Sequence, residues 1–192
     1  MSTHYDAIVV GARCAGSPVA MLLARMGQRV LLVDRDTFPS DTISTHLLHA
    51  PGVAALARWG LLDRLVDTGC PPITNYSYDF GPFTVSGSPR PTCDGVGVAY
   101  GPRRTVLDKI LLDAASEAGA EVRTNCSVQD LIIEDGRVVG IRAHDSAGAA
   151  ETFEERSDLV IGADGRNSVV ARAVGAQQSG VRPALAVSYY AY

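Results

Sequence analysis

The stretch YDAIVVGARCAGSPVAMLLARMGQRVLLVDR, residues 5–35, constrains the fold more than any other part of the chain. AIVV followed by Gly11 reads as a short buried strand running into a tight turn. From Ser17 to Met26, apolar Val19, Ala20, Leu22, Leu23 and Met26 recur at helical spacing, and Gly27 closes the helix. RVLLVD then reads as a second buried strand ending on Asp34. Strand, helix and strand at this spacing make a βαβ unit, whose strands lie parallel with a right-handed crossover.

The turn inside this unit has a chemical reading. In a Gly-x-Gly-x-x-Gly turn the first glycine permits the tight bend. The second lets backbone approach a pyrophosphate, and the third lets helix and strand pack closely. Gly11 and Gly16 fill the first and third places, and Arg13 stands in the second. The N-terminus of the following helix offers free N–H groups and the positive end of its dipole to phosphates. Asp34, 23 residues after Gly11, lies where an acid accepts hydrogen bonds from ribose hydroxyls. The guanidinium of Arg13 can point outward, or lie beside a dinucleotide as a charge partner for phosphate. Gly11, Ala12, Arg13, Cys14, Ala15, Gly16 and Asp34, with Arg35 beside the acid, are therefore candidate nucleotide-binding residues.

Composition narrows the surroundings. A chain of 192 residues, 46% hydrophobic, can bury a sizeable core as one large or two small domains. Its net charge of −4 argues against nucleic acid, which needs a basic face. No apolar run approaches the ~20 residues that span a bilayer, and MSTHYDAIVV lacks the basic and apolar regions of a signal peptide. Cys14, Cys70, Cys93 and Cys126 are far apart with no Cys-x-x-Cys pair. We expect reduced thiols, a cytoplasmic location and no metal site.

Further along, residues 51–66 are expected to be helical, bent or interrupted at Gly60. Residues 73–100, punctuated by prolines and glycines, suggest exposed antiparallel strands of another kind of domain. RTVLDKILLDAASEAG returns to a helix with Val106, Leu107, Ile110, Leu111, Ala114 and Ala118 on one face. AEVRT is a strand, and LIIEDGRVVGIRA is a hairpin about Asp135-Gly136. DLVIGADG is a further buried strand ending in a turn, Asn167 to Val174 a helix, and ALAVSYYAY a strand.

Three of these segments together resemble a flavoprotein group that includes para-hydroxybenzoate hydroxylase-like monooxygenases and geranylgeranyl reductase-like enzymes. They are VVGARCAGSPVAMLLARMGQRVLLVDR, PRRTVLDKILLDAASEAGAEVR and DLVIGADGRNSVVARAVGA. The resemblance implies an α/β fold: a Rossmann-like FAD-binding parallel sheet, an inserted antiparallel hairpin, and part of a β-rich substrate domain. It implies that the first turn holds the ADP half of FAD despite Arg13. The group's Arg-x-x-Leu-Asp pattern falls on Arg104, Leu107 and Asp108, with Arg104 implied to contact the cofactor and Arg103 an adjacent candidate. Val128 matches a position whose backbone lies near the adenine. Asp164 and Gly165 match an Asp-Gly motif used near FAD and for NAD(P)H. Ser44, Thr45 and His46 fall on a loop close to the flavin.

Members of the group also carry a later Gly-Asp motif and a C-terminal helix, at roughly twice this length. The chain is thus expected to be an N-terminal half. Residues 1–72 and 102–180 would form the FAD-binding domain, 73–101 a partial substrate-domain insertion, and 181–192 the start of a substrate-domain strand. By the resemblance, NAD(P)H reduces FAD for hydroxylation of an aromatic or polyketide-like substrate. The alternatives are reduction of isoprenoid double bonds, and a non-catalytic nucleotide-binding module. An NAD-dependent dehydrogenase would need a second catalytic domain. No catalytic residue is nominated.

Plainer roles compete at several positions. His46 would be a loop histidine with one hydrogen bond, Cys14 a small buried packing residue, and NYSYDF a half-buried strand packed through its aromatics. Asp164 could be simple turn chemistry before a helix capped by Asn167.

Overall fold

A computed structural model describes residues 4–145 and 152–182. The strand expected in ALAVSYYAY lies outside the described residues. In chain order the elements are β1 (His4–Val10), α1 (Gly16–Arg25), β2 (Val30–Val33), α2 (Ala50–Trp59), α3 (Leu62–Val66), β3 (Pro72–Ile73), β4 (Tyr76–Asp79) and β5 (Thr84–Gly87). They continue with β6 (Ala99–Tyr100), α4 (Arg104–Glu117), β7 (Glu121–Arg123), β8 (Cys126–Glu134), β9 (Arg137–Asp145), β10 (Thr152–Gly162) and α5 (Val169–Ala173). The chain divides into two compact units, with boundaries after Thr37 and, inside α4, after Ala114.

The first unit is built on a six-stranded sheet in the order β7-β2-β1-β10-β9-β8. β7, β2, β1 and β10 run parallel, as the βαβ reading requires, and β9 and β8 extend the sheet antiparallel. All four residues of β2 are buried, as expected of a strand covered on both faces. β10 changes partner along its length. Thr152 to Arg156 pair antiparallel with β9, and Arg156 to Gly162 pair parallel with β1. The β8–β9 turn falls on Asp135-Gly136, both at positive φ. That conformation matches the strand twist and favours Asp and Gly there.

One expectation about this sheet fails. DLVIG is not fully buried: Leu159 is 52% exposed, while Val160 packs against a core that includes Ile8, Val128 and Val170. Successive side chains leave opposite faces of a strand, and the core takes only one of β10's faces here.

Tyr5 on β1 anchors a polar network on the same sheet. Its hydroxyl donates to Glu121 at 2.7 Å and accepts from Arg123 Nη2 at 3.0 Å. Arg123 also donates to Glu155 at 2.6 Å and lies over the Phe153 ring. Burial first, and then the hydrogen bond to Glu121, push the Tyr5 phenol up to about 12. Burial acts to raise Glu121, but hydrogen bonds from Tyr5 and Arg123 outweigh it and hold the carboxyl below its ordinary value.

The signs differ for the two groups. A phenol raised by folding stabilises fully below its unfolded value near 10 and loses that contribution as pH rises through about 12. Glu121, being lowered, contributes above its unfolded value and is lost as pH falls through the folded one. We therefore expect the denaturation midpoint to fall more steeply between pH 9 and 11.5 in the parent than in Tyr5→Phe. Equal slopes in urea titrations would remove Tyr5 as the cause.

The second unit holds α2, α3, two small sheets and most of α4. Gly60 caps α2 in the left-handed conformation, so the expected interruption is a true helix end. β3 pairs with β6, and β4 with β5, all antiparallel. NYSYDF is not half-buried. Tyr78, Phe80, Phe83 and Val85 are each 50–61% exposed, and Phe80 stacks on Phe83 with centroids 5.0 Å apart. A two-stranded ribbon has no third strand to cover it, so Phe80 and Phe83 stay exposed against each other, while Tyr76 meets the His49 ring edge-on with centroids 6.2 Å apart. Among the described residues, no helix is long and apolar enough to cross a membrane.

The buried stripe of α4 is Leu107, Leu111, Leu112, Ala114 and Ala115, with Asp108 inside it at 0% exposure. Val106, Ile110 and Ala118, expected on that face, are only partly buried. The stripe is rotated because Arg104 pairs with Asp108 one helical turn on, which lets a carboxylate occupy a core position.

Candidate nucleotide-binding site

The first turn is closed by contacts that its glycines alone permit. Gly11 sits at φ 102°, and a Cβ there would stand 2.4 Å from the Ala163 carbonyl oxygen. A Cβ on Gly16 would stand 1.7 Å from the Gly11 carbonyl oxygen. Gly11 N–H donates to the Val33 carbonyl at 2.8 Å, and Ala163 N–H donates to the Val10 carbonyl at 2.7 Å. The turn is thus wedged between the end of β2 and the turn after β10. Buried Ser17 adds a stitch, its hydroxyl donating to the Ala12 carbonyl at 2.7 Å.

Asp34 is 8% exposed, and its carboxylate reaches back to that turn. Oδ2 accepts from Ala12 N–H at 2.6 Å, and Oδ1 accepts from Asp36 N–H at 2.9 Å. Two ionised oxygens offer about four acceptor positions, so the group keeps capacity for hydroxyl donors. Cys126 N–H donates to the Asp34 carbonyl at 2.8 Å, which fixes the start of β8 beside the acid. Val128, two residues on, is buried and pairs with Ala143. Arg35 is exposed.

Arg13 has a partner that neither course read from the sequence named. Its Nη2 donates to Asp36 Oδ2 at 2.9 Å, so the guanidinium clamps the turn to the loop after β2. Asp36 went unnoticed in the sequence because only the folded loop brings it to Arg13. Cys14, expected to be buried, is exposed, as is Ala15, because the inward face of α1 begins at Gly16. The other free thiols range from exposed Cys93 to buried Cys126, whose pKa burial pushes up to about 11.

Asp164 performs the turn chemistry considered as its plainer role. It accepts from Ser168 Oγ and Val169 N–H, each at 2.6 Å, and from Val170 N–H at 3.3 Å. Ser168, not Asn167, is the N-cap of α5, since its hydroxyl accepts from Ala171 N–H at 2.9 Å. Gly165 follows at φ 82°. A Cβ on Gly11 would lie 3.0 Å from the Asp164 Cα, so the two glycine turns are neighbours.

The structure therefore brings Gly11 to Gly16, Asp34 and Asp164 together within the first unit. Ser44, Thr45, His46 and Arg104 belong to the second. There His46 is buried at φ 56°, and its ring Nδ1 lies 3.0 Å from the Pro102 carbonyl, which makes Nδ1–H the donor. His46 N–H donates to Ser44 Oγ at 3.1 Å. Arg104 Nε and Nη2 hold both oxygens of Asp108 at 3.0 and 2.9 Å. Arg103 pairs instead with Asp41, a contact that holds the Asp41 carboxyl below its ordinary value.

A parallel α/β sheet, a glycine turn opening a helix, and an acid hooked to that turn define a Rossmann-like nucleotide-binding protein. The chain belongs to the FAD-binding domain family, whose model matches residues 4–189. It is 33% identical to digeranylgeranylglycerophospholipid reductase 2 of Methanococcoides burtonii over 183 residues, 95% of this chain and 43% of the relative. Among solved structures, the myxobacterial chondrochloren halogenase CndH superposes with TM-score 0.73 at 29% identity, over 82% of this chain and 36% of that one. PqsL, a probable FAD-dependent monooxygenase from Pseudomonas aeruginosa, superposes with TM-score 0.77 at 20% identity, over 95% and 48%, a likeness of fold. The chain spans 39% to 44% of the length of the curated relatives it matches.

Proposed function

We propose that the first turn seats the ADP half of FAD, in a protein where NAD(P)H reduces the flavin for hydroxylation of an aromatic or polyketide-like substrate. The observation that carries this reading is the hook from Asp34 to Ala12 N–H, behind a turn closed by Gly11 and Gly16. These residues fit the group: an acid for ribose hydroxyls, a close-packed turn, and the N-terminus of a ten-residue helix for the pyrophosphate. FAD, when bound, supplies the redox chemistry. The chain's part is to bind and orient it. Arg35 and the Val128 backbone are proposed for the adenosine end. For Ser44, Thr45, His46, Arg104, Asp164 and Gly165 the role in holding cofactor rests on the resemblance, as does a substrate domain beginning near Ile73. A cytoplasmic setting is proposed from the four free thiols.

A second reading, reduction of isoprenoid double bonds, is favoured by the identity to the Methanococcoides burtonii reductase. Oxygen uptake coupled to NAD(P)H oxidation by the whole protein separates the two, since only hydroxylation consumes oxygen.

The cofactor itself is tested with the chain in hand. After mixing with FAD and desalting, absorbance near that of bound flavin and altered fluorescence are expected to stay with the protein. A colourless protein that instead retains NAD would overturn the flavin reading in favour of a nicotinamide site.

A further inference from the structure

Arg13 stands where such turns usually carry a second glycine, and its charge is already engaged. It donates to Asp36, and Asp36 N–H donates to the carboxylate of Asp34, which accepts Ala12 N–H from the same turn. Guanidinium and both carboxylates thus form one closed circuit around the acid that would meet a ribose. Arg13 is the better covered partner, its side chain 22% exposed against 40% for Asp36. A free 2′-hydroxyl can donate to Asp34. A 2′-phosphate brings negative charge toward two carboxylates, and the nearest guanidinium in the circuit is occupied.

We propose that the Arg13–Asp36 pair sets which adenine dinucleotide this turn accepts. One with a free 2′-hydroxyl binds. One with a 2′-phosphate is rejected, because Asp36 keeps Arg13, a ready phosphate ligand, from turning to it. The inference rests on the reading that the first turn binds an ADP moiety. In a protein that spends NADPH, such a pair keeps the reductant out of the seat meant for FAD. Asp36 is then a specificity-determining residue that acts through Arg13. Arg35, exposed beside the circuit, is the competing source of phosphate affinity.

The test is calorimetric titration of the chain with ADP-ribose and with 2′-phospho-ADP-ribose, with circular dichroism melts to confirm that each variant is folded. The parent is expected to favour ADP-ribose by about tenfold or more, and Asp36→Asn to narrow the gap to about threefold by gaining the phosphorylated ligand. Asp36→Ser, expected to act alike, serves if Asp36→Asn does not fold. Adding Arg13→Ala to the open variant should restore the gap, whereas adding Arg35→Ala should not. An unchanged gap after loss of Asp36, or restoration by Arg35→Ala alone, overturns the inference and leaves the nucleotide site standing. Failure of the parent to bind ADP-ribose overturns the site, and the inference with it.

Discussion

Gly16→Ala is expected to abolish flavin retention and to destabilise the first unit by more than about 3 kcal/mol. Overpacking commonly costs about 1–3 kcal/mol when side chains can yield. Here the obstacle is backbone, the Gly11 carbonyl oxygen 1.7 Å from the new Cβ, with Val9 Cγ1 at 3.1 Å behind it. Gly11 cannot retreat, because its own Cα faces the Ala163 carbonyl and its N–H is bonded to Val33. Relief would have to separate α1 from β1 and carry Ala12 away from Asp34. Gly27→Ala is the control. It meets nothing within 4 Å but sits at φ 83°, so it should cost about 1 kcal/mol and leave flavin binding intact. Urea midpoints and retained flavin absorbance check both. A Gly16→Ala protein that keeps its flavin would show that the turn is looser than its contacts require.

Arg104→Ala should be the second costly change, by about 3–5 kcal/mol, because it leaves a carboxylate without its guanidinium in the core. Asp108 is fully buried and the Arg104 side chain is 16% exposed. A typical domain has only about 5–15 kcal/mol to lose. Loss of flavin in this variant would therefore say little about cofactor contact. Replacing both residues, Arg104→Leu with Asp108→Leu, removes the charges together and should recover most of the stability. If the double variant melts like the parent yet loses flavin, Arg104 is a ligand. Parent-like retention of flavin would reduce it to a structural partner of Asp108.

What the sequence revealed was what neighbours along the chain decide. β1, α1, β2 and Asp34 could be read because hydrophobic period, turn glycines and acid all lie within 31 residues. The β8–β9 turn could be read for the same reason, since Asp135-Gly136 carries its own conformational preference. The failures turn on contacts that the hydrophobic period alone does not report. The α4 face was misjudged because burial of Asp108 depends on Arg104, which breaks the rule that acids lie outside a stripe. Both courses for Arg13 overlooked Asp36, 23 positions on. Cap assignment slipped by one residue because Asn167 and Ser168 are both good caps, and Asp164 chose between them by accepting the serine hydroxyl. The aromatics of NYSYDF alternate as those of a packed strand do, but whether a layer covers them is not encoded in the alternation.

The placement of β1 bears on how the protein is made. β1 precedes the other described strands of its sheet in the chain and lies in the middle of that sheet, between β2 and β10. β2 follows within about thirty residues and can close one side early. The other side waits for residues 156–162, more than a hundred positions later, and contacts so distant in sequence form slowly. Until then VV at the end of β1 is an open apolar edge, and Gly11 lacks the Ala163 carbonyl against which it is wedged. A nascent chain stalled before Arg156 would expose that edge to other strands, a risk that chaperones exist to contain.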